Sequence, residues 1–312
     1  MTKFPPNEII SLLDVNLKFN LAESTATNLT FGQIADDGFL SELNKLELGY
    51  GTSRGYEPLR NEIANRLSIP ANTVMTTNGA SSSIFLTAFT LCNAGDEIVT
   101  VSPNFPPTMD IISALGATKK TIPLSFDEKY ELNIERLSTV LSERTRLVVF
   151  VTPHNPSGTS TTRKTVETAI SLIQQKSPSA YILIDETYRE ATYGDNQAAP
   201  SMAGFSERTL TTTSLSKCHG APGIRLGWLT CNDGELLEQL ALAKMNTVIS
   251  CSVLDEMVGF HILRNSQNIL GDRKMLLQKG VTIVENWIQE NSEFVEWVRP
   301  NAGALCCVRL RP

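Results

Sequence analysis

Ser214, Ser216 and Lys217 belong to one short motif, Ser-Leu-Ser-Lys, and Arg225 follows eight residues after the lysine in a Pro-Gly-Ile-Arg sequence. A lysine amine can form a Schiff base with an aldehyde, while a serine hydroxyl and a guanidinium can hold a phosphate group. Arginine suits this second role because its planar guanidinium binds two phosphate oxygens at once. The spacing therefore predicts a site for a phosphorylated aldehyde, although the motif alone also fits a surface loop.

A carboxylate follows an apolar run further upstream. Residues 181–184 read Tyr-Ile-Leu-Ile and lead into Asp185, which predicts a buried parallel strand with a charge at its C-terminal end. Ligands of open α/β sheets bind outside such strand ends. Asp185 could therefore pair with a protonated pyridine nitrogen, and by itself it fits a helix N-cap equally well.

A third apolar run, residues 148–151, leads into the turn-rich sequence Thr-Pro-His-Asn-Pro-Ser-Gly. The side-chain amide of Asn155 in this loop can donate a hydrogen bond to a ring oxygen. An Asn-Pro-Ser-Gly sequence is also a common turn. The Asn-Pro-Ser-Gly sequence is informative here because it lies one strand-helix unit before Asp185.

In this order, the three motifs resemble those of the class I/II aminotransferases, pyridoxal-phosphate (PLP) enzymes of fold type I. That family has a Gly-Ala phosphate loop, an aromatic residue stacked on the PLP ring, an Asn-Pro-Thr/Ser-Gly loop, an Asp-x-x-Tyr strand end, and Ser-x-x-Lys with a later arginine. All five are found between about Leu48 and Leu310. The resemblance implies an α/β fold, with a mostly parallel seven-stranded sheet between helices and a smaller, discontinuous α+β domain.

The resemblance also implies a role for each matching residue. Lys217 would form the Schiff base with PLP and move the proton of the substrate α-carbon. Asp185 would pair with the pyridine nitrogen, and Tyr188 and Asn155 would donate hydrogen bonds to the phenolic oxygen of the ring. These residues match family positions one by one, and no residue that reads the substrate side chain is identified.

The remaining matches surround the phosphate and the ring. Phe105 matches the stacking aromatic residue, although it also reads as an ordinary loop or core phenylalanine. Tyr50 matches a tyrosine that reaches the phosphate of a neighbouring subunit, which implies a homodimer. The phosphate would be held by residues of the Gly-Ala loop and of the lysine motif, namely Gly79, Ala80, Ser81, Ser214 and Arg225. Ser216, next to the lysine, is also counted among the cofactor-binding residues.

Apolar runs alternate with helical patterns, which favours a mostly parallel sheet covered on both faces. Strands are predicted near 74–75, 97–101, 118–123, 147–151, 181–184, 209–213 and 224–229. Helices are predicted at 57–67, 81–92, 134–141 and 161–174, and a long amphipathic stretch at 234–264 leads to a second lobe. The predicted domains are a large PLP-binding domain, 46–265, and a small domain made of 1–45 and 266–312.

Composition limits the functional classes. With 312 residues, 41% hydrophobic and 19% charged, the chain can bury one large core and a smaller lobe. A net charge of −6 argues against nonspecific binding to nucleic acid or acidic membranes. The six cysteines and three histidines show no metal-binding spacing, so no metal is predicted. The sequence shows no signal peptide or membrane-spanning run, and we expect a cytoplasmic protein.

The end of the sequence departs from the family pattern. Residues 297–305 resemble the strand that opens the C-terminal sheet of the small domain, and in relatives several tens of residues follow, including an arginine that grips the substrate α-carboxylate. Here the sequence ends at Pro312, and Arg309 and Arg311 are the only late arginines. Alternation places both on one face of a strand, where we expect them to face solvent. The sequence is thus either truncated or binds its substrate differently.

The predicted activity is transfer of the amino group between an L-amino acid and a 2-oxo acid, both small molecules. A first alternative is a C–S or β/γ-eliminating lyase, because residues 20–26 are similar to the start of aminocyclopropane-carboxylate-synthase-like enzymes. Removal of the α-proton by Lys217 is common to both, so the cofactor motifs do not separate them. A second alternative is a truncated, catalytically impaired PLP-binding protein.

Overall fold

The computed structural model describes residue 4 and residues 18–21, 23–25 and 27–311. Much of the predicted small-domain segment 1–45 lies outside the described residues, as do Ala22 and Ala26 of the 20–26 motif. The main sheet and the helices packed on it are described in full.

Within the described residues, seven strands form the main sheet in the order β1-β7-β6-β5-β4-β2-β3. Strand β7 is antiparallel to both of its neighbours, and the other adjacent pairs are parallel. The predicted mostly parallel α/β sheet is therefore confirmed. The strands are β1 (Val74–Thr77), β2 (Glu97–Ser102), β3 (Thr118–Pro123), β4 (Thr145–Val151), β5 (Tyr181–Asp185), β6 (Thr209–Ser214) and β7 (Gly227–Cys231).

Helices cover both faces of this sheet. In the described ranges they are α1 (Asp37–Leu43), α2 (Glu57–Leu67), α3 (Ala80–Leu91), α4 (Pro106–Ala114), α5 (Ile134–Val140), α6 (Arg163–Lys176), α7 (Gly234–Val248), α8 (Val253–Arg264) and α9 (Ser266–Glu290). None of the described helices is both long enough and apolar enough to span a membrane.

Alternation along the strands divides the core between the two faces. Ile182 of β5 packs with α5 and α6, whereas the next residue, Leu183, packs with α3, α4 and α7 on the other face. A third cluster joins α1, α2 and α8 to Trp228 of β7, with Phe39 of α1 at its centre. The predicted domain division stays a prediction. Phe39 lies in the predicted small domain but packs with α2 and α8 of the predicted large domain, so the boundary between residues 45 and 46 divides one core cluster.

Two predicted elements differ from the structure. The strand predicted at 224–229 begins at Gly227, because Pro222–Ile224 form a 3₁₀ turn and Arg225 has a left-handed backbone with φ of 46°. The long stretch at 234–264 is two helices, because Ile249 has φ of 64° and ends α7. Ser252 then caps α8, since its side chain accepts a hydrogen bond from the backbone N–H of Asp255.

The C-terminal part is a pair of short strands beyond α9. Strands β8 (Val295–Trp297) and β9 (Val308–Leu310) are antiparallel. The prediction of a strand over 297–305 was wrong beyond Trp297, because this segment turns back onto the Asn155 loop. The backbone N–H groups of Asn301 and Ala302 both donate to the carbonyl of Gly158, at 3.0 and 3.1 Å.

Candidate functional site

Asp185, the Asn155 loop and Lys217 lie at the carboxyl ends of three adjacent parallel strands. Strand β5 ends at Asp185, β4 leads into the loop that carries Asn155, and β6 ends three residues before Lys217. Asp185 is in register with Val151 on one side and Thr212 on the other. The parallel strands thus bring to one edge of the sheet residues that are far apart in sequence.

The amine of Lys217 lies in a partly buried, polar contact. Its Nζ donates a hydrogen bond to the Ser24 hydroxyl at 2.9 Å and lies 3.9 Å from a carboxylate oxygen of Glu23. Burial lowers the pKa of Lys217, the Glu23 carboxylate raises it, and Arg225 lowers it further. A lowered pKa leaves more of the amine neutral, which is the form that attacks an aldehyde.

Asp185 makes no salt bridge with any residue that the structure describes. Its Oδ1 accepts hydrogen bonds from the backbone N–H and the hydroxyl of Thr187, at 2.9 and 2.5 Å, and within the described part of the chain its Oδ2 accepts none. Burial raises the pKa of Asp185, and the bonds from Thr187 oppose this. A positive charge placed against Oδ2 would be strongly favoured, as a protonated pyridine nitrogen requires.

The hydroxyl of Tyr188 lies beside the same amine. The side chain is 4% exposed, and its hydroxyl is hydrogen-bonded to Ser24, which also contacts Lys217. Burial raises the pKa of Tyr188, and the Ser24 bond lowers it only in part. Tyr188 therefore keeps its proton near neutral pH and remains able to donate a hydrogen bond.

Gly79, Ala80 and Ser81 form the start of α3, and Arg225 lies against it. Gly79 has φ of 77°, and no side chain caps the helix, so its first backbone N–H groups are free for an anion. A Cβ at Gly79 would lie 2.9 Å from Nη2 of Arg225. The structure brings the predicted phosphate loop and its arginine together, with α3 beginning at Ala80 rather than near Ser81.

His154 fixes the Asn155 loop, a role that the sequence did not indicate. Its Nδ1 is 2.7 Å from the Ser157 hydroxyl and its Nε2 is 2.9 Å from the carbonyl of Pro103. Burial lowers the pKa of His154, so the ring is neutral. The side chain of Asn155 is half-buried and makes no hydrogen bond to the described residues, which leaves its amide free for a ligand.

The remaining predicted residues fall in two groups. Ser214 ends β6 and is buried, as is Ser216, whose backbone N–H donates to the Ser214 hydroxyl at 3.4 Å. Phe105 follows β2 at the same sheet edge and is half-buried at the start of α4. Tyr50 does not reach the site of its own chain, since its side chain is 86% exposed on the surface.

Residues 23–25 and 27–29, hereafter the crossing segment, run along the lysine loop. Glu23 shapes this segment, since its Oε1 accepts hydrogen bonds from the backbone N–H groups of Ser24 and Thr25, at 2.8 and 3.0 Å. Leu29 donates from its backbone N–H to the carbonyl of Gly220 at 2.7 Å. Sequence reasoning noted this stretch but assigned Glu23 and Ser24 no role, because their contacts are about 190 residues away in the chain.

At the strand ends of a doubly covered parallel sheet, the described residues combine a partly buried lysine, an aspartate without a salt bridge and an uncapped helix N-terminus, which are the groups that a fold type I PLP site requires. The profile of the family "Aminotransferase class I and II" matches residues 18–312, and the chain belongs to this family. Its enzymes are PLP-dependent, so PLP is the cofactor. The residues fit PLP, because each chemical part of it, aldehyde, ring nitrogen and phosphate, has a matching group here.

Curated relatives have different activities. Capreomycidine synthase of Streptomyces vinaceus is 28% identical over 93% of this chain and 72% of its own length. The arginine–pyruvate transaminase of Pseudomonas aeruginosa is 30% identical over 58% of this chain and 47% of its own length. A probable aspartate aminotransferase of Methanocaldococcus jannaschii is 27% identical, with 72% of this chain and 61% of its length covered. The chain thus spans about half to three quarters of these relatives.

Solved structures show the same fold. A PLP-dependent aminotransferase from Streptococcus suis superposes with a TM-score of 0.91 at 24% identity, covering 99% of this chain and 83% of the other. The PLP-dependent cyclase OrfR gives a TM-score of 0.80 at 22% identity, covering 90% and 74%. These likenesses establish the architecture and leave the choice of substrate open.

Proposed function

We propose that the chain is an aminotransferase that moves an amino group between an L-amino acid and a 2-oxo acid, with Lys217 as its catalytic base and PLP-binding residue. The observation that carries this proposal is that Asp185, Tyr188 and Lys217 lie at or just after the ends of adjacent parallel strands, where Ser24 contacts both the lysine amine and the tyrosine hydroxyl. PLP supplies an aldehyde for the amino group and a ring that withdraws electrons from the α-carbon.

Each side chain then has a defined task. Lys217 Nζ would take the proton from the substrate α-carbon and deliver it to the cofactor carbon, and its lowered pKa leaves more of the amine in the neutral form that acts as a base. Asp185 holds a positive charge on the ring nitrogen, and Tyr188 and Asn155 donate hydrogen bonds to the ring oxygen. Ser24 contacts both the lysine amine and the Tyr188 hydroxyl and so orients the amine while it carries the proton.

The phosphate and the ring complete the proposed cofactor site. Phe105 covers one face of the ring from the end of β2. The phosphate lies at the start of α3, where uncapped N–H groups and the Arg225 guanidinium favour an anion. Its proposed ligands are those predicted from the resemblance, Gly79, Ala80, Ser81, Ser214 and Arg225, and Ser216 is proposed as a further cofactor-binding residue.

We also propose a homodimer in which Tyr50 reaches the cofactor phosphate of the second subunit. Tyr50 and Leu48 are 86% and 82% exposed, and Met245 and Ile249 add further exposed apolar surface. Exposed large apolar side chains of this kind are typical of a protein interface. Light scattering after size-exclusion chromatography measures the mass in solution, and a monomer would rule out the shared site.

Spectroscopy tests the proposed function directly. The purified chain is loaded with PLP, and its visible spectrum is recorded before and after each of a panel of amino acids, beside the variant Lys217→Ala. Borohydride reduction followed by peptide mapping should place PLP on Lys217. We expect a lysine-dependent band that bleaches with an amino acid and returns with a 2-oxo acid. A band that responds to no amino acid would contradict amino transfer.

A second candidate is elimination or cyclisation on the same site. It is favoured by the similarity to capreomycidine synthase, which covers 93% of this chain, and by the likeness to a PLP-dependent cyclase. Removal of the α-proton by Lys217 serves this chemistry as well. Product released from an amino acid without any 2-oxo-acid acceptor would support the second candidate, and strict dependence on an acceptor would exclude it.

A further inference from the structure

Arg273 differs from every other arginine in the described part of the chain. It lies in α9 and is only 8% exposed, and it makes no hydrogen bond, ion pair or ring contact with the described residues. Its Nε is fully buried without a partner. Burial lowers the pKa of Arg273, opposed only by the neighbouring Asp272.

A buried guanidinium without a partner is costly. Removing one partner of a buried ion pair strongly destabilises a protein, because it leaves an uncompensated charge. Such a group is retained where an anion completes it, and the planar fork of arginine matches a carboxylate through two parallel hydrogen bonds. The chemistry of Arg273 therefore selects a carboxylate.

The guanidinium lies next to the lysine loop. A Cβ at Gly220, three residues after Lys217, would be 2.7 Å from Nη2 of Arg273 and 2.6 Å from the carbonyl of Thr27. Ser24, three residues before Thr27, contacts the Lys217 amine. The crossing segment therefore contacts the Lys217 amine at Ser24 and approaches Gly220, beside Arg273, at Thr27. The three-residue step from Ser24 to Thr27 spans at most about 10 Å.

A second buried polar atom lies at the same place. His219 adjoins Gly220 in the chain and is 1% exposed, and its Nδ1 has no hydrogen-bond partner, whereas its Nε2 is 2.8 Å from the Ser266 hydroxyl. Burial lowers the pKa of His219, and Arg273 is among the charges that lower it further. The ring is neutral, and the charges that act on it are those of Arg273 and of Glu190 with its two paired arginines, Arg66 and Arg189.

The other candidate arginines are engaged. Arg225 lies against Gly79 at the start of α3. Arg309 pairs with Asp127 and Glu296, both at 2.8 Å, and stacks on a phenylalanine ring, and Arg311 lies 3.5 Å from Glu296. As the sequence led us to expect, both late arginines are on the surface.

We propose that Arg273 binds a carboxylate of the amino-acid and 2-oxo-acid substrates. This inference rests on the proposed function, since it supplies the anion-binding half of the same site. The bound carboxylate lies between the guanidinium, the crossing segment and Gly220. If Arg273 binds the α-carboxylate, a substrate with one carboxylate is sufficient. If Arg273 binds a carboxylate distant from the α-carbon, the substrate must be a dicarboxylate.

Calorimetric titration of the PLP-loaded enzyme tests this binding without turnover. The probes are propionate with one carboxylate, succinate with two, and succinamide with none. We expect Arg273→Gln to weaken carboxylate binding at least tenfold, and the matched surface variant Arg309→Gln to leave it unchanged. Binding of both acids indicates the α-carboxylate, and binding of succinate alone indicates a distal one. Equal affinity of Arg273→Gln and wild type, or loss in Arg309→Gln, overturns the proposal.

Two further measurements cover the case in which Arg273→Gln does not fold. Arg273→Lys keeps the charge but loses the fork, so it should bind with intermediate affinity, and wild-type affinity would contradict a bidentate contact. In the wild type, succinate should raise the melting temperature more than succinamide or chloride at equal ionic strength. An equal rise with chloride would overturn the carboxylate site in favour of a general anion site.

The two proposals fail separately. If Arg273-dependent succinate binding is measured but no amino acid bleaches the PLP band, the carboxylate site stands and amino transfer is wrong. If amino transfer proceeds with an unchanged Michaelis constant in Arg273→Gln, the aminotransferase stands and the carboxylate site is wrong.

Discussion

Two regions meet at the Lys217 amine, and they are held in place by different means. The strand-end region, which carries Asp185, Tyr188 and Asn155, continues directly from strands that are hydrogen-bonded on both sides. Among the described residues, the contacts between the crossing segment and the lysine loop include those of Glu23 and Ser24 with the Lys217 amine and that of the Leu29 N–H with the Gly220 carbonyl. The sheet edge therefore suits a cofactor used in every cycle, whereas the crossing segment contributes side chains that act on the amine.

The two regions therefore divide the chemistry. The strand-end region supplies the charges and donors that PLP requires, and these are common to transamination, elimination and cyclisation. The crossing segment, with the neighbouring Arg273, supplies the contacts that act on the proton and on the substrate. Substitutions in the first region should affect cofactor binding or the reactivity of the bound cofactor, and those in the second should affect turnover or substrate affinity while PLP remains bound.

The largest effect is expected for Asp185→Asn in the strand-end region. The amide cannot hold a positive charge on the ring nitrogen, so we expect kcat/KM to fall about 100-fold or more. The measurement is the rate with the amino acid found by spectroscopy, together with a titration of PLP affinity. Asp195→Asn, at an exposed turn, is the matched control. An Asp185→Asn enzyme of wild-type activity would remove Asp185 from the site.

Gly79→Ala should have the next largest effect, and it should act on PLP binding. The methyl group would approach Nη2 of Arg225 to 2.9 Å at a backbone φ of 77°, which alanine rarely adopts. We expect PLP affinity to fall about tenfold, which corresponds to about 1.4 kcal/mol. Gly234→Ala, where a Cβ meets nothing within 4 Å, is the control and should bind PLP normally.

The sequence allowed the strand-end region to be predicted but contains almost no indication of the role of the crossing segment. The strand-end residues could be predicted because short local motifs follow recognisable apolar strands, as with Asp185 after residues 181–184. The break between α7 and α8 was missed, because Ile249 is a residue type that rarely adopts positive φ. Ser24 and Arg273 had no local signal, since their roles depend on packing between distant parts of the chain.

Ser24→Ala probes the crossing segment and should leave PLP affinity nearly unchanged. Loss of the acceptor at 2.9 Å from Lys217 Nζ removes a bond that stabilises the protonated amine, so the pKa of Lys217 should fall further below its ordinary value. PLP addition needs the neutral amine, so its rate should rise at a lower pH than in wild type. We also expect turnover to fall about tenfold. Ser171→Ala, on the exposed face of α6, is the control.

An unchanged pH profile in Ser24→Ala would mean that Ser24 only packs against the amine. A large loss of PLP affinity would mean instead that the crossing segment helps to hold the cofactor. Either result would contradict the assignment of cofactor binding to the strand-end region and of contacts with the proton and the substrate to the crossing segment.

The smallest effect at the site is expected for His219→Gln, which lies between the two regions and should change stability more than activity. Burial lowers the pKa of His219 to about 4, below its usual 6.5, so the unfolded chain binds the proton more readily than the folded one. The stability contributed by the neutral ring is complete above pH 6.5 and is lost as the pH falls towards 4. Urea unfolding at pH 7 and at pH 4.5 should show a loss of roughly 2–3 kcal/mol from this residue in the wild type. Glutamine does not titrate, so the variant should lose correspondingly less, and equal losses in the two proteins would show that His219 is accessible to protons in the folded state.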